Sequence, residues 1–182
     1  MIRQTEQTFM IHVYKGNGKG KTSAAIGLAV RAAGAGKRVV YARFMKGNES
    51  GEIPVLQQIS GIRVLTLSRP YPFTWEMTSE DRTQITREHD EMLETLCKLS
   101  RSQEADVFVL DEITYPVTLG LVREESWKQL LSLAREKTET EWVFTGQDPS
   151  AQMLETADYI TDMQAVRHPY ERGIAARKGI EY

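Results

Sequence analysis

Short apolar runs alternate with stretches of helical spacing along the whole chain. The runs at 9–14, 38–44, 63–66, 107–110, 141–145 and 159–163 are brief and bounded by polar or turn residues, so they read as strands. Between them, apolar positions three and four residues apart predict helices over 21–33, 54–59, 79–99, 124–136 and 150–156. In the longest of these, Ile85, His89, Met92, Leu93 and Leu96 trace one face, and Gly34 and Gly36 suit the C-terminal stop of the first. Strand and helix in regular alternation predict βαβ units and a mostly parallel sheet of about six strands. Two segments resist the pattern. Residues 68–78 hold Pro70, Pro72, Tyr71, Phe73 and Trp75 without periodicity, and 166–182 carry Arg167, Arg172, Arg177 and Lys178 among few apolar residues. Irregular loops at the edge of such a sheet are where substrates are commonly held.

The bulk properties narrow the class. A length of 182 residues without a Pro-, Gly- or Ser-rich linker fits one domain, 1–182, with a full core. A net charge of −2 provides no basic face for nucleic acid. No run approaches the roughly 20 apolar residues of a membrane span, and the polar arm at 1–8 lacks the apolar stretch of a signal peptide. The single cysteine, Cys97, cannot form an internal disulfide and lies among Leu93, Leu96 and Leu99 as a core or boundary thiol. These features point to a cytoplasmic protein that engages neither membrane nor nucleic acid.

The chemistry is concentrated after the first strand. Gly16-Asn17-Gly18-Lys19-Gly20-Lys21-Thr22-Ser23 links that strand to the first helix, the context of a phosphate-binding loop. Glycines let backbone N–H groups converge on phosphate oxygens, and the helix adds the positive end of its dipole. Lys21 supplies a charge, and the Thr22 hydroxyl can meet a magnesium ion. The loop is one residue shorter than the general form, because Lys15 stands where the first glycine belongs. Val107-Phe108-Val109-Leu110 then ends in Asp111 and Glu112, acids placed as in a Walker-B strand to hold that metal, with the choice between them open. The expected fold is therefore α/β, a P-loop NTPase (RecA-like) three-layer sandwich.

Other positions have two readings. Thr145-Gly146-Gln147-Asp148-Pro149 is either a turn with Asp148 or Ser150 capping the next helix, or a ligand-facing edge. Phe73 and Trp75 are either tucked under their loop or exposed for a flat apolar ligand. His12 reads as structural and His89 as a satisfied boundary residue. His168 is the histidine nearest to plausible site residues, and no spacing resembles a metal cluster.

Together these motifs resemble the P-loop ATP:corrinoid adenosyltransferases of the CobA/CobO/BtuR type. The shared residues are the loop itself with Ala24-Ala25, Gly27-Leu28-Ala29 and Arg31-Ala32-Ala33-Gly34, then Phe44-Met45-Lys46-Gly47, Gly51-Glu52 and Phe73-Thr74-Trp75. Val109-Leu110-Asp111-Glu112, Thr145-Gly146, Ala157-Asp158, His168-Pro169-Tyr170, Gly173-Ile174 and Lys178-Gly179-Ile180-Glu181-Tyr182 continue the match. The short loop is itself a mark of the family. The resemblance implies that a corrinoid reduced to Co(I), either cobalamin or cobyrinic acid a,c-diamide, attacks the 5′ carbon of ATP and expels triphosphate. It implies ATP and Mg2+ (or Mn2+) with Thr22 and Asp111 or Glu112 on the metal, the residues 16–23 on the nucleotide, and Lys21 neutralising the leaving group. Phe73 and Trp75 would shield the lower face of the corrin and displace its axial base. The tail 166–182 would contribute to the site, a reduced flavoprotein would donate the electron, and the chain would form a homodimer, its polar arm covering a neighbouring site. Arg69-Pro70-Tyr71-Pro72 departs from the family, which usually has glycines there, as do Thr114-Tyr115 and Gln147. The alternatives are a P-loop small-molecule kinase or ATPase, which would release ADP, and a non-catalytic ATP- or corrinoid-binding regulator.

Overall fold

A computed structural model describes residues 9–46, 50–136 and 139–181; the polar arm at 1–8, Gly47 and Tyr182 lie outside the described residues. Six strands form one sheet: β1 (Ile11–Lys15), β2 (Val39–Arg43), β3 (Ile62–Leu65), β4 (Val107–Asp111), β5 (Glu141–Thr145) and β6 (Tyr159–Asp162). Their order is β3-β2-β4-β5-β1-β6, and every neighbouring pair is parallel. Parallel neighbours need crossovers, and the helices supply them: α1 (Lys21–Gly34), α2 (Glu52–Leu56), α3 (Ser79–Arg101), α4 (Thr114–Thr118), α5 (Glu124–Glu136) and α6 (Ala151–Thr156).

Helices on both faces explain why β2 and β4 are buried at every residue, as continuous apolar runs demand. Side chains alternate across β4. Val107 and Val109 pack with Ala25, Ala29 and Tyr41 beneath α1, whereas Phe108 and Leu110 pack with Leu93, Leu96 and Leu130 beneath α3 and α5. The result is the expected three-layer α/β sandwich. β6, at the sheet edge, is exposed throughout.

Local chemistry sets the ends of the helices. The N–H groups of Gly36 and Lys37 return to the carbonyls of Ala33 and Ala32, a Schellman stop that needs the left-handed φ of 82° at Gly36. Thr78 and Asp81 exchange hydrogen bonds in a capping box that starts α3. α2 begins two residues before its expected start at 54, so Pro54 falls in the first turn, where its missing N–H has no helical acceptor to lose. α4 was not legible. It is a five-residue turn that includes Pro116, too short for periodicity to register.

Candidate functional site

The glycine loop leaves β1 and turns against the ends of β5 and β6. Gly16 adopts φ 107° and donates its N–H to the Gln147 carbonyl at 3.2 Å, and Gly18 donates to the Met163 carbonyl at 2.6 Å. A Cβ on Gly18 would stand 2.6 Å from that same carbonyl, so no larger residue fits. The Asn17 side-chain oxygen accepts from the Ala165 N–H at 3.0 Å. Gly16 and Asn17 thus brace the loop from behind. Gly18, Lys19, Gly20, Lys21, Thr22 and Ser23 instead line a cavity of about 610 Å³. The N–H groups of residues 19–23 have no acceptor among the described residues, and they open the 14-residue helix α1. Lys21 Nζ donates to the carbonyls of Gly16 at 2.6 Å and Gly18 at 3.0 Å.

Asp111 and Glu112 divide the roles that the sequence left joined. Asp111 is fully buried; its Oδ1 accepts from Thr22 Oγ1 at 2.9 Å and Thr145 Oγ1 at 2.7 Å, while Oδ2 has no partner. Glu112 has φ 63°, a left-handed backbone that costs a non-glycine residue energy, and its N–H donates to Thr145 Oγ1 at 2.9 Å. This turn aims its carboxylate into the cavity, with Lys46 Nζ at 4.0 Å. Burial pushes the Glu112 carboxyl above its ordinary value, against the pull of Lys46.

A second cavity, of about 640 Å³, adjoins the first. Pro70, Tyr71, Pro72, Phe73, Thr74 and Trp75 form one wall, and Met45, Tyr115 and Leu119 another. Phe73 and Trp75 stack on each other in parallel, ring centres 4.7 Å apart and planes within 3°. They are 64% and 75% exposed, so of the two readings the loop presents its rings outward. Lys46, Ser50 and Glu112 border both cavities.

The Thr145–Pro149 segment has a supporting part. Ser150 accepts from the Met153 N–H and caps α6, while Thr114 occupies the space a side chain on Gly146 would need. From the tail, His168, Gly179, Ile180 and Glu181 line the first cavity, and Glu181 pairs with Lys19 at 3.4 Å. Arg177 beside it holds the Glu181 carboxyl down to about 2.

The remaining candidates are structural. His12 bonds Glu141 at 2.5 Å and stacks on Tyr159. His89 is buried, not a boundary residue, with Nδ1 2.8 Å from the Leu121 carbonyl. Cys97 is buried, and that burial pushes its thiol up. Sequence reasoning gave no role to Arg43, which lies almost wholly buried on the wall of the first cavity. Its Nη1 meets Glu52 at 2.9 Å, and its Nε has no partner. A charge at the end of an otherwise apolar strand was the available signal. Tyr115 was marked only by its place in the family pattern and Leu119 by nothing, because α4 is too short for periodicity to register.

Comparison with known proteins agrees with this geometry. A KaiC-like protein of Pyrococcus horikoshii superposes with a TM-score of 0.53 at 15% identity, covering 86% of this chain and 71% of that one, a likeness of fold alone. The corrinoid adenosyltransferase of Escherichia coli K12 is 33% identical over 95% of this chain and 85% of its own length. Those of Salmonella typhimurium (33%, 97% and 87%) and Pseudomonas aeruginosa (30%, 93% and 82%) are similar over comparable shares. Residues 7–182 match the profile of ATP:corrinoid adenosyltransferase BtuR/CobO/CobP. A phosphate cradle and an aromatic cavity joined along one border, on a chain matched nearly end to end, place this protein in the P-loop ATP:corrinoid adenosyltransferase family.

Proposed function

We propose that this protein transfers the 5′-deoxyadenosyl group of ATP to the Co(I) centre of a corrinoid, cobalamin or cobyrinic acid a,c-diamide, in adenosylcobalamin biosynthesis or salvage. The observation that carries the reading is the shared border of the two cavities at Lys46, Ser50 and Glu112. Alkyl transfer requires a polyanion and a flat apolar macrocycle to meet at one carbon, whereas hydrolysis requires only the polyanion and a water. The Co(I) electron pair forms the cobalt–carbon bond as the C5′–O bond breaks, and triphosphate leaves with the second pair. No general base is needed.

The chain's own residues then bind, orient and neutralise. The N–H groups of residues 19–23 and the Lys19 and Lys21 ammonium groups receive the phosphates, while Gly16 and Asn17 act by bracing the loop. Arg43 and Lys46 add two further cations at the wall. A magnesium or manganese ion fits beside Thr22, Asp111 and Glu112, because Asp111 keeps a buried oxygen without a partner; when bound it adds charge to offset the triphosphate. Phe73 and Trp75 cover one corrin face and hold off its axial base. We infer a single domain with the tail 166–182 completing the nucleotide site, a cytoplasmic homodimer, and a reduced flavoprotein as electron donor. Among the described residues no helix is long and apolar enough to cross a membrane.

The test mixes protein, ATP, magnesium and chemically reduced cobalamin without oxygen, and follows the visible spectrum for alkylation and the solution for products. Alkylcobalamin with stoichiometric triphosphate supports the transfer. ADP as product, or ligand binding with no spectral change, overturns it.

A further inference from the structure

The loop that carries Phe73 and Trp75 is held by one face of one helix. Glu88, on α3, accepts from the Ser68 N–H at 2.9 Å, the Ser68 hydroxyl at 2.8 Å and the Tyr71 hydroxyl at 2.7 Å. Gln84, one turn earlier, donates to the same carboxylate at 3.3 Å. One turn further back, Asp81 receives Arg69 at 2.9 Å, and Arg82 donates to the Thr74 carbonyl at 2.9 Å. The Arg69 guanidinium also lies 4.1 Å from the centre of the Tyr71 ring. Residues 81, 84 and 88 share a face because three- and four-residue steps superpose on a helix.

The covalent geometry of the loop makes these tethers directional. Pro70 and Pro72 flank Tyr71, and each ring fixes its own φ. Holding the Tyr71 hydroxyl therefore sets the direction in which the chain enters Phe73. We propose that Glu88 is the positioning residue of the corrinoid cavity: by gripping Ser68 and Tyr71 together it sets the place and tilt of the Phe73–Trp75 stack, with Asp81 and Arg82 as secondary tethers. This rests on the proposed function, since it assigns the stack to the corrinoid. The charge state agrees with the role. Burial alone would raise the Glu88 carboxyl, but the bonds from Ser68, Tyr71 and Gln84 outweigh it and hold it below its ordinary value. An ionised acceptor makes the shorter, stronger bonds. A stack ordered before the ligand arrives spares binding the cost of ordering it, so its effect falls on corrinoid affinity and leaves ATP alone.

The test compares wild type with Glu88→Ala, Glu88→Gln and Tyr71→Phe, each first by tryptophan anisotropy decay without ligand. Trp127 and Trp142 are buried and Trp75 is 75% exposed, so a new fast component reports on the stack. Glu88→Ala is expected to add that component and to raise the corrinoid KM about tenfold while the ATP KM holds. Glu88→Gln should recover part of the loss, because its amide oxygen still accepts. Should Glu88→Ala fail to fold, Tyr71→Phe removes a single hydroxyl and should shift both readouts in the same direction. Unchanged anisotropy, or a loss shared equally by the ATP and corrinoid KM, overturns the proposal. A wild type that forms no cobalt–carbon bond sinks the proposed function instead, and the anisotropy then still decides whether Glu88 holds the stack.

Discussion

Thr22 and Thr145 donate to the same oxygen of Asp111, at 2.9 and 2.7 Å, and leave the other oxygen of that buried carboxylate without a partner. Two neutral donors on one side orient the carboxylate and leave its second oxygen turned to no protein donor. Such an acid attracts a metal ion. Asp111→Asn keeps the shape and removes the charge, so the magnesium concentration for half-maximal turnover should rise about tenfold or more. Thr22→Ala should move it in the same direction. A magnesium titration of the initial rate checks both, and an unmoved midpoint would take Asp111 off the metal.

Lys21 presents a different kind of contact. Its ammonium group lies against two carbonyls of its own loop, which both shapes the loop and holds the side chain at the lining of the first cavity, where the proposed function puts the phosphates. Lys21→Ala should lower kcat/KM by about a thousandfold, as loss of a preorganised donor to developing charge does. Lys21→Arg should restore little, because a planar fork cannot replace a compact ammonium between two carbonyls. Steady-state kinetics of both variants test this. A Lys21→Ala enzyme within tenfold of wild type would remove the residue from catalysis.

Much of this site was legible in the sequence, for a physical reason. The strand run at 141–145 and the helix at 124–136 match the structure residue for residue, because their apolar periods are clean and their ends polar. The loop at 16–23 is local in sequence, so its chemistry could be read there too. Arg43, Thr145 and Glu88 were not legible in the same way. Each acts through a partner brought near by parallel pairing or helix packing, and such distances leave no trace in local spacing. Gly16 and Asn17 look like phosphate contacts in the sequence; the Gly16 N–H goes to the Gln147 carbonyl, and the Asn17 side-chain oxygen accepts from the Ala165 N–H.

Strain at Glu112 gives a stability prediction that opposes the activity one. A left-handed φ of 63° costs a residue with a Cβ roughly 1–2 kcal/mol, and glycine gives back roughly 0.5–1 kcal/mol in chain entropy. Glu112→Gly should therefore fold as stably as wild type or up to about 1.5 kcal/mol better, while turnover falls. Denaturant melts beside rate measurements separate the two effects. A clear loss of stability would mean that the Lys46 contact, at 4.0 Å, outweighs the backbone strain.

His89 sets a pH dependence of stability. Burial lowers its pKa from the ordinary 6.5, and the Leu121 carbonyl, Glu88 and Asp90 only partly oppose that. The unfolded chain therefore takes up the proton first as pH falls. The stability owed to a neutral His89 is whole above about pH 6.5 and is lost below it, down to the depressed folded value, with a slope of at most about 1.4 kcal/mol per pH unit. Comparing wild type with His89→Gln by denaturant melts from pH 7.5 to 5 isolates this share from the carboxylates. The variant should start less stable and fall less steeply. Parallel curves would show that His89 titrates alike in both states.

Trp75 and Phe73 provide the sharpest separation between binding and redox assistance. Stacked 4.7 Å apart and largely exposed, they offer a flat apolar surface whose rings make no hydrogen bond among the described residues. If that surface holds the axial base away from cobalt, it matters most before the electron arrives. A Co(II) centre without its axial donor has a lower acceptor orbital and is easier to reduce. A preformed Co(I) centre has already accepted the electron, so little remains for the stack to contribute. Trp75→Ala should thus cut the rate about tenfold or more when turnover begins from Co(II) and a reductant. From chemically prepared Co(I) the same variant should lie within about threefold of wild type. Parallel anaerobic assays from the two starting states measure the ratio directly. Equal losses in both would leave Trp75 as a binding contact and assign the reduction step to other residues.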